Sequence, residues 1–529
     1  MSAPPDALSV ARPLDPILES YEAVAYESKA VPLAEPDVMA AAAILHGLTP
    51  PRPERARVLE LGCGTAGNLI AMAMRLRKAT FIGVDLSPAQ IERASYAVSE
   101  LGLQNVTVIA KSIADIDAAF GEFDYIICHG VYSWVPEAVR DAILRVCAEN
   151  LAPNGVAYVS YNTYPGWHRR GMVREMLKLN DDPALPPSAR VARARDLANM
   201  LAAADPADDS PHGLILHHEL RELAKQSDRH LFHDQLAPIN EPVYFARFAQ
   251  HARAHGLRYV GEARLSVESL ATTNLRTVLG PDADIVQVEQ QLDFVRGREF
   301  RRTLLCHDDQ HPSAAPVPEA IPKLFARTTA QRAEASAEDA ARSEHVAAFR
   351  APTGVMLTTN NPQLIAMLGA LVDVAPAALG FDALSAEVAR RLAGPEAASP
   401  SVSVDRDALI AALLQTASAG LVEFRALPSS FVAHAGERPK AAPLARWQAG
   451  NFDFLTSLAH APVRVTGVER YMLRHLDGTN DRERLLHLLE HAFRSGELQL
   501  GGATLTREQI AGVLDDVLER LGRSGLLVA

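Results

Sequence analysis

Over residues 57–160, short apolar runs alternate with stretches whose apolar positions recur every three to four residues. The runs at 57–61, 80–85, 106–110, 123–128 and 156–160 predict strands. The stretches at 68–76, from Pro88 onward, and at 136–151 predict the helices between them. Ser87 can cap the second of these, with Pro88 at the favoured first position. Strands that alternate with helices imply a parallel sheet covered on both faces. From residue 166 to about 248 the strand signals vanish and helical ones dominate, as in 189–204 and 213–227. Strand character returns at 257–260 and 300–306. The expected fold class is therefore α/β: a Rossmann-like sheet, interrupted by a helical insertion at about 167–250 and completed near residue 306.

Residues 311–354 are rich in Pro and Ala with scattered charge, which predicts a linker plus a helix. Beyond them lies a weak internal echo. A helix at 408–420 leads into the apolar run 421–424, and a helix at 509–525 leads into 526–528. This predicts two smaller α-rich, winged-helix-like units at 355–430 and 431–529. The hinge falls at 426–442, where Pro428, Gly436 and Pro439 break the pattern. A chance likeness between two Ala/Leu-rich helices is the alternative.

Composition narrows the picture. The 529 residues are 48% apolar and 22% charged, as in folded globular chains. A net charge of −12 argues against general binding of nucleic-acid phosphates. Most of it, −9, lies in the first 310 residues. The four cysteines, none spaced as CxxC, exclude a disulfide framework and a zinc ribbon. They point to the reducing cytoplasm. No export signal and no run of 18 apolar residues is present, so membrane insertion is not expected.

The strongest motif is Glu60-Leu61-Gly62-Cys63-Gly64-Thr65-Ala66-Gly67-Asn68, which follows a strand and opens a helix. Its glycines let backbone approach a ligand closely. Asp85 ends the next strand, where a carboxylate can accept the two hydroxyls of a ribose. Two details argue against a dinucleotide. Glu60 stands two positions before the first glycine, where it would repel a pyrophosphate but suit an ammonium. The sheet also ends in the 300–306 strand after a detour, rather than in a second mononucleotide half. S-adenosylmethionine fits, since it has an amino-acid tail, a ribose and an adenine but no phosphate.

These residues resemble the first two motifs of the class I S-adenosylmethionine-dependent methyltransferases, the second being Gly83-Val84-Asp85-Leu86-Ser87. Further stretches narrow the resemblance: 129–135 (His-Gly-Val-Tyr-Ser-Trp-Val), 161–167 (Tyr-Asn-Thr-Tyr-Pro-Gly-Trp), 231–234 (Leu-Phe-His-Asp) and 240–245 (Asn-Glu-Pro-Val-Tyr-Phe). They look like the bacterial methyltransferases that carry a methyltransferase regulatory domain. That group includes the lysine methyltransferases of rickettsial outer-membrane protein. The resemblance implies a seven-stranded sheet in a methyltransferase domain over 1–310, with a regulatory region at about 212–300. It implies cofactor contacts from Glu60, Gly62, Gly64, Gly67, Asn68, Asp85, Leu86, Ser112 and, from the N-terminal segment, Tyr26. Ser112 stands where the family usually has an acidic adenine contact, and Asp115 is the alternative.

Methyl transfer from a sulfonium is an in-line displacement, so the nucleophile must be neutral, aligned and shielded from water. A lysine amine, with reference pKa ~10.4, must first lose a proton. Aromatic faces hold an ammonium or sulfonium by cation–π attraction. Tyr132, Trp134, Tyr161, Tyr164 and Trp167 cluster after strands four and five, in a chain only 6% aromatic. The expected catalytic set is Trp134, Tyr161, Tyr244 and, as a base, His129. Core packing is the competing reading for each aromatic. The histidines at 212–255 are expected to be solvated or capping, with no metal site. The expected function is methyl transfer, with a protein presenting lysine as the favoured partner. The alternatives are a small-molecule methyltransferase and a cofactor-binding regulator without turnover. A homodimer is compatible with the sequence.

Overall fold

A computed structural model describes residues 28–204, 209–265, 275, 277–280, 283–336, 346–394, 403–452, 454–499 and 505–528. The first half is built on a seven-stranded sheet. Its strands are β1 (Arg57–Leu61), β2 (Thr80–Asp85), β3 (Val106–Ala110), β4 (Phe123–Cys128), β5 (Leu151–Asn162), β6 (Leu257–Glu262) and β7 (Phe300–His307). Their order across the sheet is β3-β2-β1-β4-β5-β7-β6. β1 to β5 run parallel, and β7 is antiparallel to both its neighbours. The order reverses at β1/β4, and this opens a crevice at the carboxyl ends of the strands, where such sheets bind ligands.

The period-two alternation of each strand feeds two cores. Val58, Phe81, Tyr125, Ile127 and Tyr158 face α1 (Pro36–Leu45), α2 (Gly67–Arg75) and α3 (Pro88–Glu100). Leu59, Leu61, Ile126, Val159 and Tyr161 face the other way, toward α4 (Glu137–Glu149). Ser87 caps α3 as its position predicts, its Oγ accepting from Gln90 N at 3.3 Å.

The insertion is helical: α5 (Trp167–Lys178), α6 (Pro187–Ala204) and α7 (Pro211–Ala224). Val173, Leu177, Val191, Leu220 and Phe232 give it a core of its own. The chain returns to the sheet through α8 (Phe245–Ala254) and α9 (Ile285–Arg296). Arg301 of β7 is fully buried and is held by Glu262 at 2.8 Å, Glu289 at 3.0 Å and Asp293 at 2.8 Å. That cluster ties α9 to the edge of the sheet.

The stretch expected as a linker plus a helix carries strands instead. β8 (Phe325–Thr328), β9 (Gln331–Ala333) and β10 (Ala347–Arg350) all fall within 311–354. β10 sits between β9 and β11 (Met356–Thr359). β8 lies between β12 (Leu379–Gly380) and β13 (Val422–Arg425). These pairings join a four-residue strand to partners far along the chain, so no local pattern announces them. The last unit holds the hairpin β14 (Phe454–Thr456) and β15 (Pro462–Arg464) with, among the described residues, four helices between 443 and 523.

A buried ionic knot joins the two halves. Glu35 and Asp37 at the start of α1 meet Arg75 of α2 at 2.6 and 3.0 Å. Arg425 of β13 pairs with Glu35 as well. Burial alone would raise the Glu35 carboxyl, but Arg75, His460 and Arg425 pull it down to about 2. Among the described residues, no helix is long and apolar enough to cross a membrane.

Candidate active site

The turn from β1 into α2 is made by glycines in left-handed geometry, Gly62 at φ 74° and Gly64 at φ 53°. A Cβ on Gly62 would come within 2.5 Å of Val131. Gly67 plays a different part from the one expected. It does not line the cavity, and a Cβ there would fall 2.0 Å from the Ser28 carbonyl oxygen. Glycine at 67 lets the segment at 28–31 cross the start of α2.

A cavity of about 620 Å³ opens at the crevice. Glu60, Gly62, Gly64, Asn68, Asp85, Leu86 and Ser112 all line it. Ser112 is on the wall, its Oγ accepting from Ala114 N at 3.3 Å, whereas Asp115 is exposed and off the wall. Tyr26 lies outside the described residues.

The Glu60 carboxylate is the most informative group here. Its Oε1 accepts from Asn68 Nδ2 at 2.8 Å, while its buried Oε2 has no partner. Burial pushes its pKa up to about 8, against the Asn68 hydrogen bond and with the Asp85 charge adding to the rise. A buried carboxylate oxygen left open is a place for a cationic donor. Asp85 accepts from Gly64 N at 2.8 Å and from Ser87 N at 3.0 Å, which fixes its carboxylate on the wall. Burial raises its pKa, and those backbone N–H groups oppose the rise. An acid at each site, with no basic side chain from the motif between them, suits the amino-acid tail and ribose of S-adenosylmethionine rather than a phosphate.

The same cavity is also lined by Trp134, Trp167, Asn162, Phe300 and Arg302. Trp134, expected in the catalytic set, is on the wall. Tyr161 is not: it is 1% exposed, stacks on Phe248 at 4.1 Å, and its hydroxyl meets Thr303 Oγ1 at 2.9 Å. The alternation along β5 explains this, since Asn162 faces the cavity and its neighbour Tyr161 must face α4 and α8. Tyr244 is also off the wall. It stands at the start of α8 without a side-chain cap, its ring centroid lies 5.2 Å from that of Tyr164, and its hydroxyl meets His168 Nε2 at 3.1 Å.

His129 lines the cavity, with Nδ1 held between Tyr158 Oη at 3.0 Å and Ser160 Oγ at 3.1 Å. Burial, helped by Arg302, drives its pKa down to about 3. It is therefore neutral near pH 7 and a weak acceptor of protons, contrary to the expected base.

Other wall residues come from distant segments, including Arg229, His230, His233 and Asp234 from the insertion. Only the 231–234 stretch hinted at them. Elsewhere, Asp141, His251 and His255 bring ligand atoms within 4.8 Å of one another. Asp141 Oδ1 is already bonded to both imidazoles, at 3.2 and 2.8 Å.

A seven-stranded sheet in this order, with an acid-lined glycine turn after β1, defines the class I methyltransferases. Comparisons with known proteins agree. Residues 58–155 match a methyltransferase domain, 227–307 a predicted methyltransferase regulatory domain, and 437–526 a PKMT C-terminal winged helix domain. The uncharacterised protein RP789 of Rickettsia prowazekii is 32% identical, over 96% of this chain and 93% of its own length. The structure of PKMT2 from Rickettsia typhi is 27% identical, covers 95% of this chain and 100% of that one, and superposes with a TM-score of 0.83. The same protein in complex with AdoHcy gives a TM-score of 0.82. The chain belongs to this family of class I methyltransferases that carry a regulatory domain and a PKMT winged-helix domain. It is an S-adenosylmethionine-dependent methyltransferase.

Proposed function

We propose that this enzyme methylates lysine side chains of a protein substrate. The observation that carries the reading is the continuity of the cavity. Trp134, Trp167 and the half-buried carboxyl of Asp234 line the same cavity as Glu60 and Asp85. Aromatic faces beside a carboxyl group suit a primary amine that arrives as an ammonium, each cation–π contact contributing ~0.5–2 kcal/mol. The PKMT2 likeness over nearly the whole chain, winged helix included, supports a protein substrate. The four described cysteines are free and buried, in keeping with a reducing cytoplasm.

S-adenosylmethionine, when bound, supplies a methyl group on a sulfonium. Glu60 and Asp85 would hold its ammonium and ribose, and Ser112 would stand nearest the adenine. Trp134 and Trp167 orient the amine and exclude water from it. The same desolvation lowers the amine's pKa and favours the neutral nucleophile. The positive charge of Arg302 on the cavity wall works in the same direction. His129, neutral and anchored by Tyr158 and Ser160, acts as a hydrogen-bonding wall group and stores no proton.

The test is to incubate the purified enzyme with methyl-labelled S-adenosylmethionine and cell lysate, then to separate protein from metabolites. Label in the protein fraction is expected. Label only in small molecules would replace this reading with a small-molecule methyltransferase.

A further inference from the structure

The Asn68 side-chain amide makes three hydrogen bonds whose directions depend on one another. Its Nδ2 donates to Glu60 Oε1 at 2.8 Å. Its Oδ1 accepts from Val31 N at 2.8 Å and from His460 Nε2 at 2.8 Å. A backbone N–H only donates, so the atom facing Val31 must be the amide oxygen. That oxygen only accepts, so the proton of His460 must be on Nε2. Two donors thus fix the amide, and the amide in turn offers its N–H to Glu60. Turned over, it would set its oxygen against the carboxylate that the ammonium of the cofactor needs ionised.

His460 comes from the winged-helix unit, 392 residues along the chain. It lies in the turn between β14 and β15, where His460 N donates to Ser457 O at 2.9 Å. Only 2% of it is exposed, and its φ is 56°, a left-handed conformation that costs a non-glycine residue ~1 kcal/mol. Burial brings its pKa down to about 4; Glu35 opposes that fall, while Arg75, Arg425 and Arg327 add to it. The ring is therefore neutral and has a single N–H to give. A glycine would relieve the turn and a leucine would fill the space. Neither could give the Asn68 oxygen its second hydrogen bond, beside the one from Val31 N. The same hairpin also braces the segment at 28–31, since the ammonium of Lys29 lies 4.3 Å from the Phe454 ring centroid.

We propose that His460 is a positioning residue for cofactor binding: from the winged-helix unit it orients Asn68, so that Glu60 meets the ammonium of the methyl donor's amino-acid tail. The C-terminal unit is then a working part of the cofactor site, whatever the methyl acceptor is. The inference rests on the methyltransferase assignment and is independent of the lysine reading.

Two probes separate this role from a merely structural one. S-adenosylhomocysteine carries the amino-acid tail, and methylthioadenosine lacks it. Calorimetry on the full chain should show His460→Phe binding S-adenosylhomocysteine roughly 10-fold more weakly, as expected for loss of one hydrogen bond behind a charged contact. Methylthioadenosine should bind within about 2-fold of wild type, since its contacts do not pass through Asn68. His460→Gln, which can offer an amide N–H, should recover most of the affinity. His460→Leu carries the same expectation should the phenylalanine variant not fold. Equal weakening of both probes, or no weakening of either, would overturn the proposal.

Discussion

At the cofactor end of the cavity the motif walls come from residues 60–68, 85–90 and 112–113, close together in the chain. On the wall proposed for the acceptor, Trp134, Asn162, Trp167, Asp234 and Arg302 come from four segments spread over 169 positions of the chain. The first wall is held by backbone: Gly64 and Ser87 N–H groups clamp Asp85, and positive-φ glycines shape the turn. The second is held by side chains on helices and strand ends. A ligand bound everywhere by the same atoms, such as an adenosyl group, permits the first kind of wall. An acceptor that differs between enzymes calls for the second, whose parts can change without disturbing the sheet.

The largest effect should come from the cofactor end. Asp85→Ala removes the anchored carboxylate and should weaken cofactor binding at least ~100-fold, or about 3 kcal/mol, in calorimetry. Unchanged affinity would break the contrast between the two walls. At the acceptor end, Trp134→Ala should cut turnover roughly 30-fold while leaving cofactor affinity within about 3-fold. Equal losses in both would mean that the walls are not separable.

A smaller effect concerns pH. The Glu60 carboxyl, raised to about 8 by burial, is mostly protonated at neutral pH in the empty site. Binding an ammonium requires the carboxylate, so affinity should rise by up to about 10-fold per pH unit below 8 and level off above it. For folding, the sign is the opposite of that for a salt-bridged acid: the buried group favours the proton, so stability is lost as pH rises from its unfolded value toward 8. Glu60→Gln should abolish the slope in cofactor affinity. A slope that survives in this variant would assign it to another group. The smallest effect is at Tyr161. Tyr161→Phe should cost ~1 kcal/mol of stability, read as a drop in Tm, with turnover unchanged. A loss of turnover would return Tyr161 to the site.

The same contrast explains what the sequence could tell. Glu60, Asp85 and the glycines were legible because their chemistry is local: a strand, a tight turn and a helix start within one short stretch. Gly67 was misread because its close neighbour, the Ser28 carbonyl, comes from a segment with no pattern of its own. Tyr161 was misread because a count of aromatics ignores parity along β5, which sends Asn162 to the cavity and Tyr161 to the core. Asp234 required the insertion to reach the cavity, and Arg302 required β7 to join the sheet beside β5. Among the strands within 311–354, β8 required pairing over long separations. His460 carried no signal at all, since a lone histidine in a hairpin turn acquires meaning only from what it touches.

The most direct measurement is residue-level mass spectrometry of a protein labelled by this enzyme with methyl-deuterated S-adenosylmethionine. Deuterated methyl groups on lysine Nζ, with yield falling in Trp134→Ala, are the predicted result. Label on carboxylate or hydroxyl oxygens, or on no protein at all while small molecules are methylated, would contradict it.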